Sequence, residues 1–182
     1  MEKVERLNRE LVKHCSIIDV YKDTVRIPKN GNIAEWDFIG HKGAAAVVPV
    51  TDEGKIIMVR QYRNALDRET IEIPAGGRNG TDEAFIDAAR RELEEETGYK
   101  SDDMEILVSL YTTVAFCNER IDVFVARNLV PTHQKFDEDE EIELEEYTVD
   151  ELCRMIYDCK IQDSKTVSAI MAYKNKYCNS NI

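Results

Sequence analysis

The 182-residue chain is long enough for one domain, or for one domain with a small appendage, and its 43% apolar residues can fill a substantial core. Its 36 acidic and 24 basic side chains give a formal charge of −12, which disfavours nucleic acid polymers and anionic membrane surfaces as partners. Five cysteines, an odd count without C-x-x-C spacing, indicate neither a disulfide framework nor a zinc site; with no signal-like or membrane-length apolar stretch, a cytoplasmic chain is expected.

Residues 1–40 read as a separate β-layer: a charged start, then β-leaning stretches near 15–27 and 33–39, with Asn30-Gly31 as a hairpin signal between them. Trp36 and Phe38, with Arg26 nearby, offer either an aromatic platform for a nucleobase or ordinary strand packing. The rest, 41–182, reads as the main domain.

Residues 44–50 and 55–61 are predicted strands about the turn Thr51-Asp52-Glu53-Gly54, and 70–73 is a short strand feeding Pro74-Ala75-Gly76-Gly77. Small residues there let backbone approach a phosphate or a metal closely, and the carbonyl of Ala75 or Gly76 is a candidate metal ligand. Just before that loop stand Arg63, able to hold phosphate oxygens bidentately, and Glu72.

A helix over residues 82–97 is expected next, with Thr81 as N-cap, Asp82 and Glu83 in the first turn, and Gly98 ending it in a left-handed conformation. On such a helix Ile86, Ala89, Leu93 and Thr97 form an apolar stripe, and Glu92, Glu95 and Glu96 share an arc beside it. Converging carboxylates repel one another unless solvated or given a cation, and hard oxygen donors suit Mg²⁺ or Mn²⁺.

Residues 104–110 and 120–126 are further predicted strands, joined by a loop, 111–119, expected to border the substrate pocket. The acidic run 137–141 precedes a strand-like alternation over 142–147. Helices over 149–157 and 164–177, the second capped by Asp163 or Ser164, close the chain as packing elements.

Gly77, Glu83, Arg91, Glu92, Glu95, Glu96 and Gly98, with Leu93 at an apolar position, follow the spacing G-x5-E-x7-R-E-U-x-E-E-x-G-U. Seven specified residues at ~7% each coincide by chance with a probability on the order of 10⁻⁸. Tyr99 stands at the last position, where an aliphatic residue is usual.

This stretch resembles the Nudix box, and residues 40–175 resemble the Nudix hydrolase family. Val59-Arg-Gln-Tyr-Arg63, residues 71–76 and residues 137–142 are similar to the ADP-ribose pyrophosphatase branch. The resemblance implies an α/β fold, an α/β/α sandwich around a mixed β-sheet, with an N-terminal β-layer that helps form a homodimer. It also implies Mg²⁺-dependent hydrolysis of a nucleoside diphosphate sugar, ADP-ribose giving AMP and ribose 5-phosphate.

Carried over position by position, it implies metal binding by Glu92, Glu96, the Ala75 carbonyl and Glu140, with Glu95 beside them. Arg91 would orient carboxylates through Glu83, and Glu138 would be the general base. Arg63, Glu72, Gly76 and Gly77 are the candidate substrate contacts in and beside the box, with Trp36 added if its aromatic platform receives a base. Ala115 stands where ADP-ribose pyrophosphatases often carry a proline, which leaves GDP-mannose or an oxidised nucleotide open as substrate, or a catalytically silent sensor of ADP-ribose or NAD.

Overall fold

A computed structural model describes residues 2–135 and 141–178. The chain divides into two compact units, one made of residues 1–43 and 111–120, the other of residues 44–110 and 121–182.

The first unit is a three-stranded antiparallel sheet of β1 (Glu5–His14), β2 (Asp19–Arg26) and β3 (Ile33–Gly40), with β2 in the centre. Its charged start forms a ten-residue strand of this layer. Ion pairs across the sheet account for this: Arg9 holds Asp23 bidentately at 2.6 and 2.5 Å, and Arg26 meets Glu5 at 3.1 Å. Gly31, at φ 72°, closes the turn between β2 and β3.

The second unit contains β4 (Ala44–Pro49), β5 (Ile56–Arg63), β6 (Arg68–Glu72), β7 (Ala75–Gly77), α1 (Phe85–Thr97), β8 (Tyr99–Lys100), β9 (Asp103–Tyr111), β10 (Arg120–Arg127), β11 (Val130–Pro131), β12 (Ile142–Tyr147), α2 (Val149–Tyr157) and α3 (Ser164–Tyr173). A four-stranded sheet runs β7-β4-β10-β9, with β4 parallel to β10 and antiparallel to β7, so it is mixed. A second, antiparallel sheet runs β12-β5-β6.

Strand β4 decides the layering because successive side chains leave opposite faces. Ala44, Ala46 and Val48 enter a core with β5, β6, α2 and α3; Ala45 and Val47 enter another with Ala88, Ala89 and Leu93 of α1 and Phe124 and Ala126 of β10. All of β4 is buried, as an apolar run covered on both faces should be. Helices therefore lie on either side of the mixed sheet.

The caps explain where the helices stop and start. Gly98, at φ 69°, is the left-handed C-cap of α1, its N–H donating to the Glu94 carbonyl. The helix begins three residues later than its acidic start suggests, with Ala84 as N-cap and no side-chain cap, so Thr81, Asp82 and Glu83 lie outside it. Arg78 is the reason: it donates to the carbonyls of Thr81 and, at 2.7 Å, Glu83, and the Asn79 N–H donates to the Glu83 carboxylate at 2.6 Å, fixing this segment as a loop. Thr148 and Glu151 make a reciprocal capping box on α2, and Asp163 caps α3 through the Thr166 N–H. Helix α3 gives way to a π turn over Lys174–Cys178.

Candidate active site

The box helix presents its carboxylates to the edge of β7. Glu92 and Glu96, one turn apart, are 8% and 4% exposed. The Ala75 N–H donates to Glu96 Oε2 at 2.9 Å, and a Cβ built on the next residue, Gly76, would overlap the Glu92 carboxyl group. Two successive residues of one short strand thus abut both carboxylates, and a Cβ at the second would force the Glu92 carboxyl group to shift. Gly77 has open space where a Cβ would stand; its carbonyl instead accepts from Arg91 Nη2 at 2.8 Å.

Arg91 gathers the remaining acids. Its guanidinium donates to Glu92 at 2.5 Å, to Glu95 at 2.9 Å and to Glu83 at 3.3 Å. It orients Glu92 and Glu95 directly, more closely than it touches Glu83. Burial pulls its pKa down, but Glu92, Glu83 and Glu95 outweigh this and hold it above the ordinary arginine value. Glu83 is held below the usual carboxylate range by the Asn79 N–H and by Arg91.

A second constellation lies on β5, β6 and α3. Arg63 donates bidentately to Glu72 at 2.8 and 2.7 Å, and Thr70 donates to the same carboxylate at 2.6 Å. Lys165 also reaches Glu72 and bridges to Asp163 at 2.9 Å. The Glu72 hydrogen bonds raise the Arg63 pKa, burial lowers it, and the charges of Glu72 and Glu96 raise it further, so Arg63 lies within electrostatic reach of the box helix.

Burial alone would push the Glu72 pKa up; Arg63, Lys165 and Thr70 overcome it and hold the carboxyl at about 2. A carboxylate with a depressed folded-state pKa stabilises the fold above its unfolded value, near 4.5, and that contribution is lost as pH falls towards 2. In urea titrations the stability gap between the wild type and Glu72→Gln should be largest above pH 5 and shrink steadily towards pH 2. A gap independent of pH would show that the charge on Glu72 contributes nothing.

The structure thus brings together Ala75, Gly76, Gly77, Arg91, Glu92, Glu95 and Glu96, and places Arg63 and Glu72 in a neighbouring pair. Trp36 belongs to the first unit, half-exposed in a groove with Val20, Ile39 and Phe116, where the 111–119 loop also lies. Glu138 and Glu140 lie outside the described residues. Among the described residues no three His, Cys, Asp or Glu side chains form a ready metal cage. Two buried carboxylates one helical turn apart nonetheless fit a small hard cation that keeps part of its water shell. Lys165, Asp163 and Thr166 went unnoticed as site neighbours because Asp163-Ser-Lys-Thr166 reads only as a helix start.

The NUDIX domain family matches residues 40–169. The chain is 39% identical over 164 residues to the ADP-ribose pyrophosphatase of Bacillus subtilis (strain 168), covering 89% of this chain and 88% of that one. It is 40% identical over 156 residues to the methanol dehydrogenase activator of Bacillus methanolicus, covering 85% and 83%. The crystal structure of an ADP compounds hydrolase superposes with a TM-score of 0.84 over 96% of this chain and 94% of that one; at 22% identity this likeness concerns the fold. The matched span contains the whole box, from the glycine before the loop to the glycine that stops the helix, and the chain belongs to the Nudix family as a Nudix hydrolase.

Proposed function

We propose that this Nudix hydrolase cleaves the diphosphate of ADP-ribose or a related nucleoside diphosphate sugar with Mg²⁺ or Mn²⁺ as cofactor, ADP-ribose giving AMP and ribose 5-phosphate. The observation that carries this reading is the meeting of two buried carboxylates, Glu92 and Glu96, with successive residues of β7. A divalent cation held there supplies charge neutralisation at the diphosphate and a water of lowered pKa.

In this reading Glu92, Glu96 and the Ala75 carbonyl hold the metal, with Glu140 as a further ligand. Glu138 accepts the proton of the attacking water, and Arg91 keeps Glu92 and Glu95 in register. Arg63, oriented by Glu72, binds phosphate or sugar oxygens. Gly76 and Gly77 let the diphosphate approach the backbone. The relative named ADP-ribose pyrophosphatase supports this substrate class. The charge of −12 favours a small substrate over a nucleic acid polymer or a membrane surface.

A panel of phosphoanhydrides, assayed for release of each monophosphate, tests the reading. ADP-ribose should lead GDP-mannose and an oxidised nucleotide by at least about tenfold in kcat/KM, and chelation should abolish turnover until Mg²⁺ is restored. Preference for another substrate would reassign the specificity. Tight ADP-ribose binding without turnover at saturating Mg²⁺ would make the protein a sensor.

The first unit, residues 1–40 at its heart, serves in this reading as a dimerisation layer; Leu7, Leu11, Val12 and Ile33 on its strands are exposed apolar residues. Light scattering should return twice the monomer mass, and a monomer at micromolar concentration would refute it.

A further inference from the structure

The first turn of α3 has a place in the site that its sequence does not advertise. Asp163 Oδ2 accepts from the Thr166 N–H at 2.9 Å, the Thr166 hydroxyl at 2.6 Å and Lys165 Nζ at 2.9 Å. Lys165 spans from this cap to Glu72, with its side chain only 10% exposed. The Thr166 hydroxyl also accepts the Ile73 N–H at 3.1 Å, two residues before the Ala75 N–H that meets Glu96. One helical turn therefore grips the chain at Glu72 and Ile73, where it enters the Gly-rich strand.

Glu72 is 3% exposed and takes donors from Arg63, Thr70 and Lys165. Arg63 spends its Nε and Nη2 on this carboxylate while its side chain stays 40% exposed, which leaves the far edge of the guanidinium for an incoming oxygen. Arg63, Arg68, Thr70, Glu72, Asp163 and Lys165 line one cavity of about 530 Å³. A long arginine side chain loses rotamer entropy when it is fixed on a ligand, and a carboxylate that already fixes it removes that cost before substrate arrives. Arg63 and Thr70 hold Glu72 from its own sheet, and Lys165, tied to the α3 cap, fixes it from the helix side.

We infer that Lys165 is a positioning residue, which clamps Glu72 against the α3 cap so that Arg63 is held ready for the substrate. The inference rests on Arg63 as a substrate contact, as read above. It predicts that Lys165 acts through Arg63 and not on the substrate itself.

A double-mutant cycle of Arg63→Ala, Lys165→Met and the pair tests this, with Lys165→Gln as a variant that keeps a donor towards Glu72. Lys165→Met should lower kcat/KM about tenfold, mostly through KM, with Lys165→Gln intermediate. The double variant should match Arg63→Ala within about twofold. Additive losses would overturn the inference, because a Lys165 that touches substrate, or only props the fold, loses its effect independently of Arg63. If Lys165→Met does not fold, the Lys165→Gln cycle is read by the same rule.

A second measurement needs no substrate. The Nε–H of Arg63, observed by ¹⁵N NMR in the free protein, should exchange slowly with solvent in the wild type and at least about tenfold faster in Lys165→Met. Unchanged exchange would overturn the clamp. If the phosphoanhydride panel instead yields no turnover, the proposed function fails while this measurement still decides the clamp.

Discussion

Glu96→Gln is expected to lower kcat by about 10³-fold while leaving the fold intact, the size of loss typical when one charge-stabilising group is removed from a reacting centre. The substitution keeps the side-chain volume, and a glutamine oxygen can still accept the Ala75 N–H that Glu96 now receives at 2.9 Å. What it removes is the negative charge of a side chain that is almost wholly buried. The thermal midpoint should correspond to a change within about 1 kcal/mol, and the affinity for Mn²⁺, titrated calorimetrically, should fall with kcat. Turnover at the wild-type rate would remove Glu96 from the metal site and with it the main support for the proposed chemistry.

The second large effect is expected at Gly76. A methyl group there lands on the Glu92 carboxyl, so Gly76→Ala must displace either the strand or the glutamate. Overpacking of this kind costs about 1–3 kcal/mol of stability, and a metal ligand moved by even 1 Å costs about 10²-fold in rate. Gly80→Ala is the control, since a methyl group at that loop position, which has no role in the proposed site, meets nothing within 4 Å. It should retain most of its activity. Equal losses in the two variants would show that the loop needs glycine for backbone freedom rather than for contact with Glu92.

The catalytic helix was legible because its signal is local. Glu92, Glu95 and Glu96 share a face by helical geometry alone, and Gly98 can only be read as a stop. Strand β12 and helix α2 fall on their predicted bounds, for the same reason: alternation in one and a cap before an apolar stripe in the other. What escaped depends on partners distant in sequence. Strand β1 looks like a solvated charge run until Asp23 is seen opposite Arg9. Thr81 looks like a cap until Arg78 claims its carbonyl. Lys165 looks like any exposed lysine at a helix start, and only the packing of α3 beside β6 brings it 93 positions back to Glu72.

Helix α1 rests on the mixed sheet through Ala88, Ala89 and Leu93, which share one core with Ala45 and Val47 of β4 and Phe124 and Ala126 of β10. The alanines among them have no torsions with which to absorb a poor fit, so a bulkier side chain on this underside would be transmitted undamped to the Glu92 and Glu96 carboxylates beside them. The enzyme can vary the solvent side of this helix widely, whereas its lower side behaves as a gauge block whose thickness sets the bore of the site.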